Sequence, residues 1–198
     1  MTDILTKLGI NFFVPLVSAS AICSTGFVTN SETTVIGSML ISPIGYWILE
    51  STSKKDVDIT NIVSSVGFLL MLFVTILSGI ISSFFTISKD TTVVEGRSTV
   101  FRKNNYNFIS SFVVVFFASL LFAWADSNNT VISTGIGIAT ALLPPLVATG
   151  FIIGKNLKEK NETILQLNDS LYSLSLFVIN LLSLVIGSMV YYKLQKND

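Results

Sequence analysis

Residues 33–49, TTVIGSMLISPIGYWIL, and residues 130–153, TVISTGIGIATALLPPLVATGFII, are apolar runs interrupted by proline, at Ser42-Pro43 in the first and Pro144-Pro145 in the second. A proline inside a helix deletes one backbone hydrogen bond and clashes with the carbonyl one turn back, at about 3 kcal/mol. In lipid, the freed backbone groups are tolerated only where neighbouring helices cover them or where they line a wet cavity. Paired interruptions therefore point to an internal polar site.

The rest of the composition agrees with a bilayer setting. Of 198 residues, 51% are hydrophobic and 12% charged, and mean hydropathy is +0.72, whereas soluble domains carry about 25% charged residues. The chain is predicted to be an integral, multi-pass membrane protein with the lipid bilayer as its first partner. Twelve basic residues balance twelve acidic ones, so nothing draws it to nucleic acid. With no histidine and one cysteine, Cys23, an internal disulfide is excluded. The commonest general base and metal ligand is missing as well. No catalytic residue, metal site or cofactor is expected, and the chain is not read as an enzyme. The first apolar run is too long, and its leading segment too weakly basic, for a cleaved signal peptide, so it is expected to be retained.

Six apolar segments follow from hydropathy: Leu8 to Val28, Thr33 to Leu49, Ile62 to Ile87, Phe108 to Ala125, Thr130 to Ile153, and Leu171 to Tyr192. The third, as a helix of about 39 Å, requires tilt or an extension into water. Short turns rich in capping residues precede both interrupted segments: Asn30 or Ser31 in one, Ser127 or Asn128 in the other. Each interrupted segment is thus predicted to begin as a helix.

With an offset of 102 residues, Ile36 to Ile44 lies against Ile138 to Leu146, matching small, hydroxyl, apolar and proline positions. The predicted fold class is all-α: a single membrane domain of two three-segment repeats, each with a proline-broken helix. Repeat one covers about 8–87, a polar connector 88–107, and repeat two about 108–192. If the broken segments cross fully, the repeats are inverted; if they dip and return, the repeats are parallel. Lys and Arg divide five against seven between the two sides with six crossings, and seven against five with re-entrant segments, so orientation stays open.

No charged residue lies in the middle of an apolar segment, which argues against a midplane carboxylate relay. Glu32 and Asp126 precede the two broken helices in equivalent places, where a carboxylate meets the positive helix end or a cation. The polar groups left inside are backbone amides and the hydroxyls of Ser38, Ser42, Thr134 and Thr140, which otherwise bond back to the preceding turn. Gly135, Gly137, Ala139 and Ala141, then Gly150 and Gly154, read as close-packing positions. Asn180, alone among apolar residues, must find an interhelical partner, such as a proline-freed carbonyl.

At these stretches the sequence resembles the family catalogued as domain of unknown function 389. Residues 18–45, SASAICSTGFVTNSETTVIGSMLISPIG, and 136–150, IGIATALLPPLVATG, match family runs close to IGAMLISPL and GVAIALVPPLA, and Asn180 opens a following NLLSLVIG. Here Ile44-Gly45-Tyr46-Trp47 follows Pro43 where the family favours Pro-Leu and a further proline, so the exit from that break is expected to differ. Many members carry a soluble domain ahead of the membrane region, and this chain is expected to lack it. The resemblance implies an architecture and names no substrate.

Two functions fit. The first is passive or ion-coupled movement of a small solute or ion along Ser38, Ser42, Pro43, Thr134, Thr140, Pro144, Pro145 and Asn180. The second is a non-transporting scaffold in which prolines and glycines set kinks and packing. A chain this short encloses little volume, so a homo-oligomer is expected.

Overall fold

The structure is a computed structural model that describes residues 10–45, 48, 66–85, 106–125, 142–158 and 163–195. Among the described residues it is all-helical: α1 (Ile10–Val28), α2 (Glu32–Ile41), α3 (Val66–Phe84), α4 (Tyr106–Ala125), α5 (Leu143–Lys158) and α6 (Thr163–Gln195). Two stretches are long and apolar enough to cross a membrane, Gly67–Phe84 in α3 and Ser170–Leu194 in α6. The apolar helices Phe12–Val28, Glu32–Ile41 and Ile109–Leu121 are shorter. The longest of the described helices is α6. At 33 residues it extends about 50 Å, because the polar stretch from Thr163 to Asp169 continues its helical ladder. Of the third segment the structure describes residues 66–85, which form α3 and a turn at Phe85.

α1 runs through Pro15 without ending. It stops at Asn30, whose φ of 54° is left-handed. The Ser31 N–H reaches the Gly26 carbonyl at 2.8 Å and the Asn30 N–H the Phe27 carbonyl at 3.3 Å, a Schellman closure that satisfies the last carbonyls of α1. Ser31 then caps α2, its side chain accepting from the Thr34 N–H. α1 and α2 thus form a tight antiparallel hairpin. Gly26 is required in it, since a Cβ there would lie 2.7 Å from Val35 Cγ2.

α5 is the centre of the bundle, packed against α1, α2, α3 and α6. Every residue from Leu142 to Ile152 is buried. Glycines bring α3 and α5 to backbone contact: Gly79 faces the Val147 carbonyl and Gly150 the Ile76 carbonyl, and a Cβ on Gly154 would lie 2.7 Å from the Ile80 carbonyl. One turn forward on α5 is one turn forward on α3, so these two helices run parallel. Phe27 of α1 meets Phe151 edge-on at 5.9 Å.

α4 packs on α6. The Ser111 hydroxyl donates to Asn180 Oδ1 at 2.6 Å, Ser183 donates to the Phe112 carbonyl, and Gly187 abuts Ser119 and Phe116. These contacts advance together along both helices, so α4 and α6 are parallel. α5 and α6 are joined through residues 159–162 and meet again where Ser173 donates to the Pro145 carbonyl at 2.8 Å, which makes them antiparallel. Helices α3 and α5 therefore point one way, α4 and α6 the other.

Candidate functional site

The first proline ends a helix, as its sequence requires. Ser42 closes α2 with φ −67° and ψ 123°, the extended geometry forced on a residue before proline. Pro43 has no N–H to offer the last turn of α2. Ile44 and Gly45 return to helical geometry, and the Ile44 N–H lies 3.5 Å from Ser42 Oγ. One turn earlier, buried Ser38 gives its hydroxyl to the Val35 carbonyl at 2.6 Å. Glu32 is exposed in the first turn of α2, where a carboxylate complements the positive helix end.

The second pair of prolines does something different. Pro144 and Pro145 are the second and third residues of α5, not part of a helix interior. N–H groups of a first turn have no intrahelical acceptor, so proline loses nothing there, and the penalty of about 3 kcal/mol does not arise. The helix start is nevertheless enclosed, with Leu142 3% and Leu143 1% exposed. The Pro145 carbonyl receives the Thr149 hydroxyl at 2.7 Å as well as that of Ser173. Thr134, Thr140, Asp126, Gly135, Gly137, Ala139 and Ala141 lie outside the described residues, as does the chain leading into Leu142.

Asn180 is 1% exposed, and its partner on α4 is Ser111. Ser173 lies seven residues before Asn180, two turns along the same face of α6. That spacing was readable as a polar stripe, but serines in membrane-type helices are too common to single one out. Thr149 and Ser111 escaped for the same reason. A further buried acceptor, Asn156 Oδ1 on α5, has no hydrogen-bond partner among the described residues.

The two ends differ in what they offer a guest. The last turn of α2 leaves carbonyls without intrahelical donors beside the Ser42 hydroxyl, a negative helix end. The first turn of α5 would normally present four free N–H groups, and two of these are removed by Pro144 and Pro145. The pair suits a cation or a neutral hydrogen-bonding solute better than an anion.

A family model described as Domain of unknown function (DUF389) matches residues 39–186, a stretch that contains both proline sites and Asn180. The chain is also similar to Uncharacterized protein MJ0678 of Methanocaldococcus jannaschii, with 28% identity over 181 residues, covering 89% of this chain and 52% of that protein. The chain thus spans about half the length of the curated relative it matches. No solved structure matches.

Proposed function

The chain belongs to the family described as Domain of unknown function (DUF389), and from that premise we propose that it is a multi-pass membrane protein that moves a small cation or neutral solute. The membrane setting is supported by an inverted distribution of polarity. Hydroxyls and an amide are buried at Ser38, Thr75, Thr149, Ser173, Asn180 and Ser183, while Phe73, Ile109, Phe117, Leu171 and Leu182 are exposed. A surface of this kind is matched to hydrocarbon. The opposed directions of α3 and α6, equivalent helices under the 102-residue offset, favour inverted repeats. The parallel pair α4 and α6 favours a second broken segment that crosses fully.

One observation carries the transport reading: α5 starts inside the protein, at Leu142 to Pro145, as broken helices do around a midplane site. Ser38, Ser42, Pro43, Thr134, Thr140, Pro144, Pro145 and Asn180 form the path in this reading. Purified protein in liposomes, tested against a panel of cations, anions and neutral metabolites, is expected to pass at least one cation or neutral solute. Pro43→Ala and Pro144→Ala are expected to reduce that flux. Flux equal to that of empty liposomes for every solute overturns the proposal.

The scaffold reading has its own support, because the described hydroxyls of Ser38, Thr149 and Ser173 all return to backbone carbonyls. It predicts that thiols placed at Ser42 and Leu143, in a Cys23→Ser background, do not react with a membrane-impermeant reagent from either side. Reaction at both places favours a water path.

A further inference from the structure

Among the described residues the helices fall into two groups. α1, α2 and α3 gather on α5, α4 packs on α6, and the groups meet chiefly along α5 and α6. Inside the groups, helices touch backbone to backbone at glycines: Gly79, Gly150 and Gly154 between α3 and α5, Gly187 between α6 and α4. No described glycine makes such a contact across α5 and α6. We propose that α4–α6 and α1–α2–α3–α5 part and close along the α5/α6 seam, with the Ser173 hydroxyl as a catch on the Pro145 carbonyl, a motion that requires neither transport nor scaffolding.

The catch is weak because its acceptor is oversubscribed. Thr149 stands four residues after Pro145 within α5, so the helical ladder directs its N–H to the Pro145 carbonyl. The Thr149 hydroxyl reaches the same oxygen at 2.7 Å and the Ser173 hydroxyl at 2.8 Å. Three donors thus share an acceptor with two lone pairs. A released Ser173 has another acceptor at hand in the Asp169 carbonyl, four residues back. Ser20, Thr25, Thr75 and Ser175 make that same bond in this chain. The Pro145 carbonyl keeps Thr149, so parting here leaves neither partner unsatisfied. Parting α4 from α6 would instead break the crossing bonds of Ser111 to Asn180 and Ser183 to the Phe112 carbonyl, besides the close contact at Gly187.

The two ends of the seam are held differently. At one end the chain itself joins α5 to α6 through residues 159–162. Ser173 and Pro145 close the other end, roughly 15 Å or more along each helix from that joint. A seam tied at one end and caught at the other opens as a hinge, first at the catch. That end is the enclosed start of α5, Leu142 to Pro145. Opening uncovers this start, and in that one respect the motion serves the transport reading proposed above.

The test uses the full chain in nanodiscs, in a Cys23→Ser background, with pairs of spin labels and distances measured by pulsed electron resonance. A pair across the groups, at the exposed Leu69 of α3 and Val113 of α4, is expected to give two distances. Pairs within the groups, Val17 with Leu77 and Val114 with Val178, should give one each. Ser173→Ala removes the catch and is expected to raise the ratio of long to short distance about threefold. Thr149→Val removes a competing donor and should lower that ratio. A general loosening of packing would move both variants the same way, and that result overturns the proposal. A single cross-group distance in the unsubstituted chain overturns it too, however the variants fold. Two distances in a chain that passes no solute support the motion and tell against transport alone.

Discussion

The helix pairs α1/α3 and α4/α6 are both built of apolar helices, yet one is splayed and the other closed. In α4/α6, Gly187 lies against Ser119 and Phe116, and two serine hydroxyls, of Ser111 and Ser183, cross the interface. In α1/α3, the hydroxyls of Ser24 and Ser78 meet across the contact beside a groove. The difference shows how few residues decide whether two apolar helices close. Where lipid is as apolar as the side chains, close backbone approach and interhelical hydrogen bonds are the discriminating forces, and both depend on small or hydroxylated residues.

The harshest way to break the comparison is to crowd the closed pair. Gly187→Phe must displace Ser119 and the Phe116 carbonyl, which a Cβ alone would approach to 2.8 Å. Unfolding titration in mixed micelles is expected to show a loss of about 3 kcal/mol, and an unchanged midpoint would deny the closed contact. Asn180→Leu removes the acceptor of Ser111 and is expected to cost about 1 kcal/mol in the same assay. Ser78→Ala, on the splayed pair, should cost about 0.5 kcal/mol. If its cost equals that of Asn180→Leu, the two interfaces are not as different as their geometry. The mildest change, Ile81→Ser with Phe85→Gly, makes α3 resemble α6 and should alter stability by no more than about 0.5 kcal/mol, since both side chains are exposed. Spin labels on Val17 and Leu77 should then draw closer, and an unchanged distance would mean that something other than those two side chains holds the groove open.

Much of the local architecture was legible. The break at Ser42-Pro43, the cap before α2, and the packing role of Gly150 and Gly154 are each dictated by the covalent character of proline, serine and glycine. Pro144-Pro145 reads as an interruption and stands in the first turn of α5; the same dipeptide serves a first turn as well as a kink. Only the start of the hydrogen-bond ladder tells them apart, and apolar residues on both sides conceal it. The length of α6 was hidden by hydropathy, which reads Gln166, Asn168 and Asp169 as loop although a helix tolerates them outside lipid. Of the candidate path, Ser38 and Asn180 are tied to Val35 and Ser111, and Ser42 forms the cap of α2. The hydroxyls around the Pro145 carbonyl emerged only from tertiary contacts between α5 and α6.

The pairing of α4 with α6 also sets a schedule for synthesis. The hairpin of α1 and α2 closes through Asn30 and Ser31 within its own stretch of chain, so it is complete almost as soon as it is made. α4 meets its main packing partner at residues 69 to 71 positions downstream, which at about 5–20 residues per second is a delay of roughly 3.5 to 14 seconds. During that interval Ser111 and Ser119 have no Asn180 or Gly187 to meet. In the membrane setting proposed above, α4 would have only the insertion machinery or lipid for company during that period.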